Sequence, residues 1–502
     1  MIASPWIETA PSPGYAPLAG ERSVDVCVLG AGIVGTTVAL LLAEAGRSVA
    51  VVEMAEVGAG VTGYTTAKLS ALQGTAYDDI ASRHSSEAAQ VYAAANSGGL
   101  ELIARWVAER AIECGFRRRA DHTYAAGPDD VATVERTAEA AQAAGLRAEL
   151  VDDAGLPFEV AAAVRLEGQA EFHPRRYLLA LAAALPEGSV HERTRALRVE
   201  HGSPCRVHTD RGTIEAQEVI VATHYPMLDR GLFFTRLSPH RSYAIGVRTR
   251  GAVPEGMYIS AGSTTRSIRS HPLGTGELLI VGGEGHKTGQ HDSTSEPYAR
   301  LEQFARRHWE VDDVEYRWAA QDCIPADGLP YVGRLTPTSR HLWTASGFRK
   351  WGLTNGTAAA MILADALLER ENPWAATLSS NRFTPRAATP TLIKENVNVA
   401  ARFFGDRLAP PDAGSLEELE PGEGGIVRVG GDRVAAFRDD DGTVHAVSPV
   451  CTHLHCHVRF NDAERTWDCP CHGSRFGVDG RVIQGPAVED LEPRDVTQPS
   501  GS

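Results

Sequence analysis

A glycine turn between two strands constrains this chain more than any other feature. Val24 to Glu53 opens as Val-Asp-Val-Cys-Val-Leu-Gly-Ala-Gly-Ile-Val-Gly, runs through an apolar helix from Thr36 to Ala45, and closes a second strand at Glu53. Strand, glycine turn, helix and strand is the order a dinucleotide site requires. Gly30 permits the tight turn, Gly32 lets a pyrophosphate approach the backbone, and Gly35 lets the helix lie close on the sheet. Free amides at the helix start face the phosphates. Glu53 stands where a carboxylate accepts from ribose hydroxyls, which a plain strand-to-helix turn does not need.

At 502 residues the chain has room for more than one domain and an interior able to bury a flat cofactor. Its net charge of -15 argues against nucleic acid, whose phosphates need a cationic face. Met1 to Gly20 has no basic cluster ahead of an apolar core, and no run reaches the ~18 apolar residues of a membrane span. The expectation is a soluble cytoplasmic protein with no integral membrane segment. Met1 to Glu21, rich in Pro, Gly and Ala, reads as a surface leader without chemistry. Of eight cysteines, Cys27, Cys114, Cys205 and Cys323 are scattered, whereas Cys451, Cys456, Cys469 and Cys471 crowd one short stretch. That asymmetry points to a metal site rather than a secreted disulfide framework.

Between these ends the chain alternates helical and strand patterns. Val57 to Lys68 sets glycines among hydroxyls, so Thr62, Thr65, Thr66 and Lys68 can contact phosphate or ring oxygens. Ser85 to Cys114 reads as a long helix, and Pro174 starts an amphipathic one. Val219-Ile-Val-Ala-Thr is a buried strand whose carboxyl end meets a cofactor. Arg236 to Gln321 carries strands and turns, with Leu278 to Val281 the clearest core strand, and predicts a separate antiparallel domain. The Gly347-to-Gly356 segment is a second glycine-rich helix entry, able to face a cofactor oxygen.

Together these blocks resemble the D-amino-acid oxidase-like family of FAD-dependent oxidoreductases, in the branch of glycine, sarcosine and other amine oxidoreductases. The resemblance covers roughly Val24 to Phe383 and rests on Gly30-x-Gly32-x-x-Gly35 with Glu53, Gly63-Tyr-Thr-Thr-Ala-Lys, Val219-Ile-Val-Ala-Thr, and Asp327-Gly-Leu-Pro followed by Gly347-Phe. The late blocks favour FAD over NAD. The resemblance implies an α/β Rossmann-like FAD-binding domain with an antiparallel α+β substrate domain. It implies hydride transfer to the flavin from a carbon beside nitrogen, on an amine or amino-acid substrate. Gly30, Gly32, Gly35 and Glu53 then hold ADP, and Thr62, Thr65 and Lys68 lie nearer the pyrophosphate or ring. Gly347, Trp351, Gly352 and Thr354 are expected at the flavin's polar edge. The family often sets a cation near the ring, a role open to Lys350 or Arg349. Cys323 does not match the offset of the family's covalent tether.

After Phe383 that resemblance stops, and Asp406 to Gly425 reads as a linker rich in Pro, Gly and Glu. Cys451-Thr-His453 and, fifteen residues on, Cys469-Pro-Cys-His472 follow the spacing of a 2Fe-2S centre held by two thiolates and two imidazoles. Zinc also accepts two Cys and two His but leaves the extra cysteines unexplained. Leu416 to Val496 resembles Rieske domains, a small all-β fold, and the resemblance implies a disulfide between Cys456 and Cys471 and a covering loop at Gly485-Pro-Ala. Two positions depart from the pattern: His455 replaces the usual Gly, and Phe476 replaces a Tyr of high-potential members. Loss of that hydroxyl, with Ser474 kept, predicts a lower reduction potential.

The expected domains are a leader at 1–21, the flavoprotein at 22–405, a linker at 406–424 and the Rieske domain at 425–496. Within the flavoprotein the FAD-binding parts are about 22–114, 165–235 and 326–383, and the substrate parts about 115–164 and 236–325. The pairing of cofactors suggests an amine dehydrogenase that passes electrons singly to the cluster and an external one-electron carrier. The reverse flow, to a flavin that reduces substrate or oxygen, and a redox module without substrate are the alternatives. A Rieske oxygenase would need mononuclear iron on two His and a carboxylate, and His286, His291 and Glu284 are poorly arranged for it.

Overall fold

The computed structural model describes residues 3–408 and 410–496. Its first sheet is built on Gly20–Leu29, which pairs in parallel with Gly212–Val221 on one side and Val49–Val52 on the other. Val190–His191 extends the sheet beyond Val49–Val52, and Leu342–Ser346 extends it beyond Gly212–Val221. The apolar runs are buried throughout Cys27–Leu29 and Val49–Val52, as a parallel sheet covered on both faces requires. Helices Ile33–Glu44 and Gly352–Leu367 pack against each other over this sheet.

The second sheet has nine strands. Its long strands Leu237–Thr249, Gly276–Lys287 and Val311–Pro325 are antiparallel neighbours, as expected of a substrate domain. One pair, Met257–Ser260 on Arg117–Ala125, is parallel. Leu278 to Val281 is buried at every position, the core strand the sequence suggested.

Two segments read as surface chain are packed instead. In the expected leader, Trp6 is fully buried and its indole donates to the Thr65 carbonyl at 2.7 Å. The ring stands edge-on to His173 and His271 at 5.0 and 4.7 Å. Leu18 is buried as well, and its amide donates to Thr194 Oγ1. These two large apolar side chains outweigh the turn-forming residues around them. Residues 1 and 2 of that leader lie outside the described residues. The expected linker is entered by a helix, Pro385–Leu408, and its later part already belongs to the C-terminal fold. Asp412 exchanges bonds with Ile426 through both backbone and carboxylate, and Leu419 is buried.

The C-terminal region is all β: a three-stranded sheet from Gly424 to Val447 and a four-stranded one from Arg459 to Gln484. Trp467, Phe437, Phe476 and Val458 fill its core. Helix Pro385–Leu408 ties it to the second sheet, with Glu395 paired to Lys287 and Asn398 accepting from Gln290 at 2.8 Å. Among the described residues no helix is long and apolar enough to cross a membrane.

Candidate active site and metal centre

A cavity of 910 Å³ runs from the glycine turn to the face of the second sheet. Gly30 adopts φ +101°, and a Cβ there would lie 2.7 Å from the Ala222 carbonyl oxygen. At Gly35 a Cβ would lie 1.9 Å from the Gly30 oxygen, so only glycine lets helix and turn meet. Gly32 opens on the cavity, its nearest neighbour being Thr62 Oγ1, which accepts from the Ile33 amide at the helix start. Glu53 also lines the cavity. Its carboxylate oxygens accept from the Ala31 and Ala55 amides at 2.9 Å each, leaving further lone pairs for ribose hydroxyls. Burial raises its pKa, against the pull of those amides.

At the other end, Thr65, Thr66, Lys68, Lys350, Trp351 and Gly352 reach the cavity wall. Lys68 is committed to the Tyr258 carbonyl at 2.9 Å and lies 5.4 Å from the Trp351 ring centre; burial pushes its pKa down to about 8. The two cations expected near the ring separate. Arg349 and Lys350 both have positive φ, 52° and 71°, and this double turn sends them to different places. Arg349 pairs with Asp79 at 2.8 Å and donates to the Gly328 carbonyl, outside the cavity wall. Lys350 lines it, held by burial below the usual lysine range, and the acid it feels is buried Asp322. Burial pushes Asp322 up to about 6 in spite of that lysine. Gly347 and Thr354 stand behind the wall: Thr354 bonds Asn96 and Ser70 inside the helix layer.

The C-terminal cysteines and histidines converge as their spacing predicts. Cys456 and Cys471 form a disulfide across the two loops, with Cα atoms 6.5 Å apart. Cys469 Sγ lies within 4.8 Å of both its sulfurs, but disulfide sulfurs cannot serve as thiolate ligands. Cys451 and Cys469 remain, both buried and hydrogen-bonded together. The Cys451 thiol is held below its ordinary range by Cys469, against burial, and with help from Ser474 and the His453 and Leu454 amides. The His453 and His472 rings lie 5.0 Å apart, and the Nδ1 atom of each is buried with no hydrogen-bond partner among the described residues. Two thiols beside two unpartnered imidazole nitrogens are a donor set that fits a metal cluster. His455 has φ +58°, the left-handed backbone for which glycine is usual. The His286 and His291 rings lie 4.6 Å apart, tilted by 32°, but His286 bonds Tyr243 and the Lys287 carbonyl, and His291 bonds the Ser293 carbonyl.

The two centres share a wall. Gln321 lines the cavity, accepts from Thr288 Oγ1, and donates through Nε2 to the Gly473 carbonyl at 2.8 Å, next to His472. His224 lines the cavity too and bonds the Gln321 backbone; burial pushes its pKa down to about 4. From the C-terminal domain, Ala463 to Thr466, Arg475 and Val482 to Gly485 complete the cavity. Arg241 of the second sheet pairs with Glu464, which also pairs with Arg475, and Arg475 reaches Asp468 at 3.0 Å. Gln321, Asp322, His224, Glu464 and Arg475 were not among the site residues expected from the sequence. Only the Gln-Asp-Cys run ending a long strand gave a local signal; the rest depend on docking.

A dinucleotide turn opening on a buried lysine, beside a domain bearing paired Cys and His loops, defines a flavin-dependent oxidoreductase with an iron-sulfur domain. Residues 25–366 match the family model described as FAD dependent oxidoreductase, and residues 411–495 match the Rieske [2Fe-2S] domain. The chain belongs to the FAD-dependent oxidoreductase family, and its cofactors are FAD and a Rieske 2Fe-2S cluster. A Bacillus subtilis (strain 168) protein, named as the Rieske 2Fe-2S iron-sulfur protein YhfW, is 33% identical over 495 residues, 98% of this chain and 97% of its own. The chloroplastic cytochrome b6-f complex iron-sulfur subunit 1 of Nicotiana tabacum is 48% identical over 63 residues, 12% of this chain and 28% of its own. Glycine oxidase from Geobacillus kaustophilus shares the fold at a TM-score of 0.59 and 18% identity, covering 72% of this chain and 99% of its own. L-proline dehydrogenase from P. horikoshii does so at 0.58 and 19%, covering 73% and 98%.

Proposed function

We propose that this protein is an amine or amino-acid dehydrogenase in which FAD accepts a hydride from a carbon beside nitrogen and the Rieske centre relays the electrons singly to an external carrier. The observation that carries this reading is the shared wall, where Gln321 lines the cavity and bonds the loop bearing His472. Gly30, Gly32, Glu53 and Thr62 hold the nucleotide end, with Gly35 packing the turn. Thr65, Thr66, Trp351 and Gly352 border the ring, and Lys350 supplies the cation that orients the substrate, with Asp322 beside it. Lys68 supports that wall through Tyr258. Tyr64, Tyr243 and Trp318 help to exclude water. Cys451 and Cys469 hold one iron and His453 and His472 the other, through Nδ1, while the Cys456–Cys471 bond fixes the two loops.

Support for the substrate class comes from the fold neighbours, a glycine oxidase and an L-proline dehydrogenase. A cytoplasmic location belongs to the same reading. The test is an anaerobic screen of amines and amino acids followed at the flavin absorption band. Bleaching by at least one compound, followed by the reduced Rieske signal, is the expected result. No bleaching across the panel, with turnover driven instead by reduced ferredoxin, would reverse the direction of flow.

A further inference from the structure

The loop that leaves strand Gly212–Val221 touches both centres. His224 and Tyr225 wall the cavity, and five to ten residues after His224 the same segment covers the histidine edge of the Rieske domain. Asp229 begins a short 3-10 turn, Asp229–Gly231, and its carboxylate oxygen Oδ1 lies 2.9 Å from Nε2 of His453. Phe234 stands edge-on to both imidazoles, 6.5 Å from His453 and 5.8 Å from His472. The His453 side chain is 6% exposed and Asp229 53%. This histidine edge is therefore met by the flavoprotein domain, not by solvent.

The chemistry of the ring settles which nitrogen does what. Nδ1 of His453 is buried without a hydrogen-bond partner among the described residues, so it is the free donor for iron. A neutral imidazole bound through Nδ1 carries its proton on Nε2, and among the described residues the oxygen facing that proton is Asp229 Oδ1. A carboxylate accepting from a metal-bound imidazole makes the ring a stronger donor to the metal. It also sets a negative charge beside a centre that gains one on reduction, so both effects favour the oxidised cluster.

We propose that Asp229 is a tuning residue for the Rieske centre, supplied by the flavoprotein domain, which holds the cluster's potential below the value the Rieske domain sets alone. The contact exists only while the two domains are docked, so docking itself lowers the potential. This inference rests on the cluster and its ligands and is independent of the direction of electron flow. As a hydrogen bond with one exposed partner, the contact contributes little to stability, and its signature is electrochemical.

The test is an EPR-monitored redox titration of the full-length protein at one pH, with iron content confirming a loaded cluster. Asp229→Asn, which keeps the shape and removes the charge, is expected to shift the midpoint to more positive potential and to alter the g-values. Asp229→Glu is expected to restore most of the wild-type midpoint. Asp462→Asn removes a carboxylate from another domain contact, with Thr294 and Ser295, and is expected to leave the midpoint in place. An unchanged midpoint in a fully loaded Asp229→Asn protein overturns the proposal. An equal shift in Asp462→Asn also overturns it, because loosened docking would then account for the effect. Should Asp229→Asn load poorly, Asp229→Ser provides the same reading by the same two criteria.

Discussion

The side-chain amide of Gln321 donates to the carbonyl of Gly473 across 2.8 Å, joining a residue of the flavin cavity to the residue after His472. Gln321 is buried, and its carbonyl is fixed by Thr288, so the bridge has one orientation. Replacing it by Leu leaves a buried carbonyl unpaired, at a cost of about 1–3 kcal/mol in the docked state. Gln321→Leu is expected to slow reduction of the cluster about tenfold while leaving flavin bleaching by substrate unchanged. Stopped-flow absorbance at the two bands checks this; equal cluster rates in variant and wild type would remove Gln321 from the route.

Phe476 is fully buried in the Rieske core, where high-potential members carry a tyrosine. Ser474 remains, with its hydroxyl at Cys451 and accepting from the Ala487 amide at 3.0 Å. Phe476→Tyr is expected to raise the midpoint by tens of millivolts, the equivalent of about 1.5 kcal/mol for a hydrogen bond to a charged group. A wild-type midpoint at the top of the Rieske range, or no rise in the variant, would contradict the assignment.

Glu464 sits between buried Arg241 and partly buried Arg475, at the domain boundary. Glu464→Leu strands Arg241, whose Nε and Nη1 already have no hydrogen-bond partner among the described residues, and is expected to cost about 3–5 kcal/mol. Arg475 keeps Asp468. The double variant Arg241→Met with Glu464→Leu is expected to recover most of the loss, since no uncompensated charge is left. Chemical denaturation of the three proteins measures the cycle; additive losses would show that the pair is not coupled.

His224 gives a pH signature. Burial lowers its folded pKa to about 4 from an ordinary 6.5, so the unfolded chain binds the extra proton first as pH falls. Its contribution is therefore fully present above pH 6.5 and is lost as pH falls toward 4. The loss is about 2 kcal/mol between pH 7 and pH 5. His224→Gln is expected to flatten the denaturation midpoint over that interval by this amount relative to wild type. Parallel profiles would mean that folded His224 takes up its proton as readily as the unfolded chain does.

What could be read from the sequence follows from how local each signal is. The Gly30 turn, the Cys and His spacings, and the replacement of a usual glycine by His455 are set by neighbours a few residues away. Lys350 was legible as one of two cations, but the choice between it and Arg349 depends on Asp79, a partner 270 residues earlier. Trp6 was hidden by the Pro and Gly around it, because its burial is decided by Thr65, His173 and His271. The second wall of the cavity was invisible, since Glu464 and Arg475 reach it only through the docking of a separate domain.

The most direct test of internal electron transfer is a freeze-quench EPR series after anaerobic mixing with a substrate that bleaches the flavin, repeated over a tenfold range of protein concentration. The reduced Rieske signal should follow bleaching at a rate independent of protein concentration. A cluster that stays oxidised, or a rate that rises in proportion to concentration, would contradict electron transfer across the Gln321–Gly473 wall.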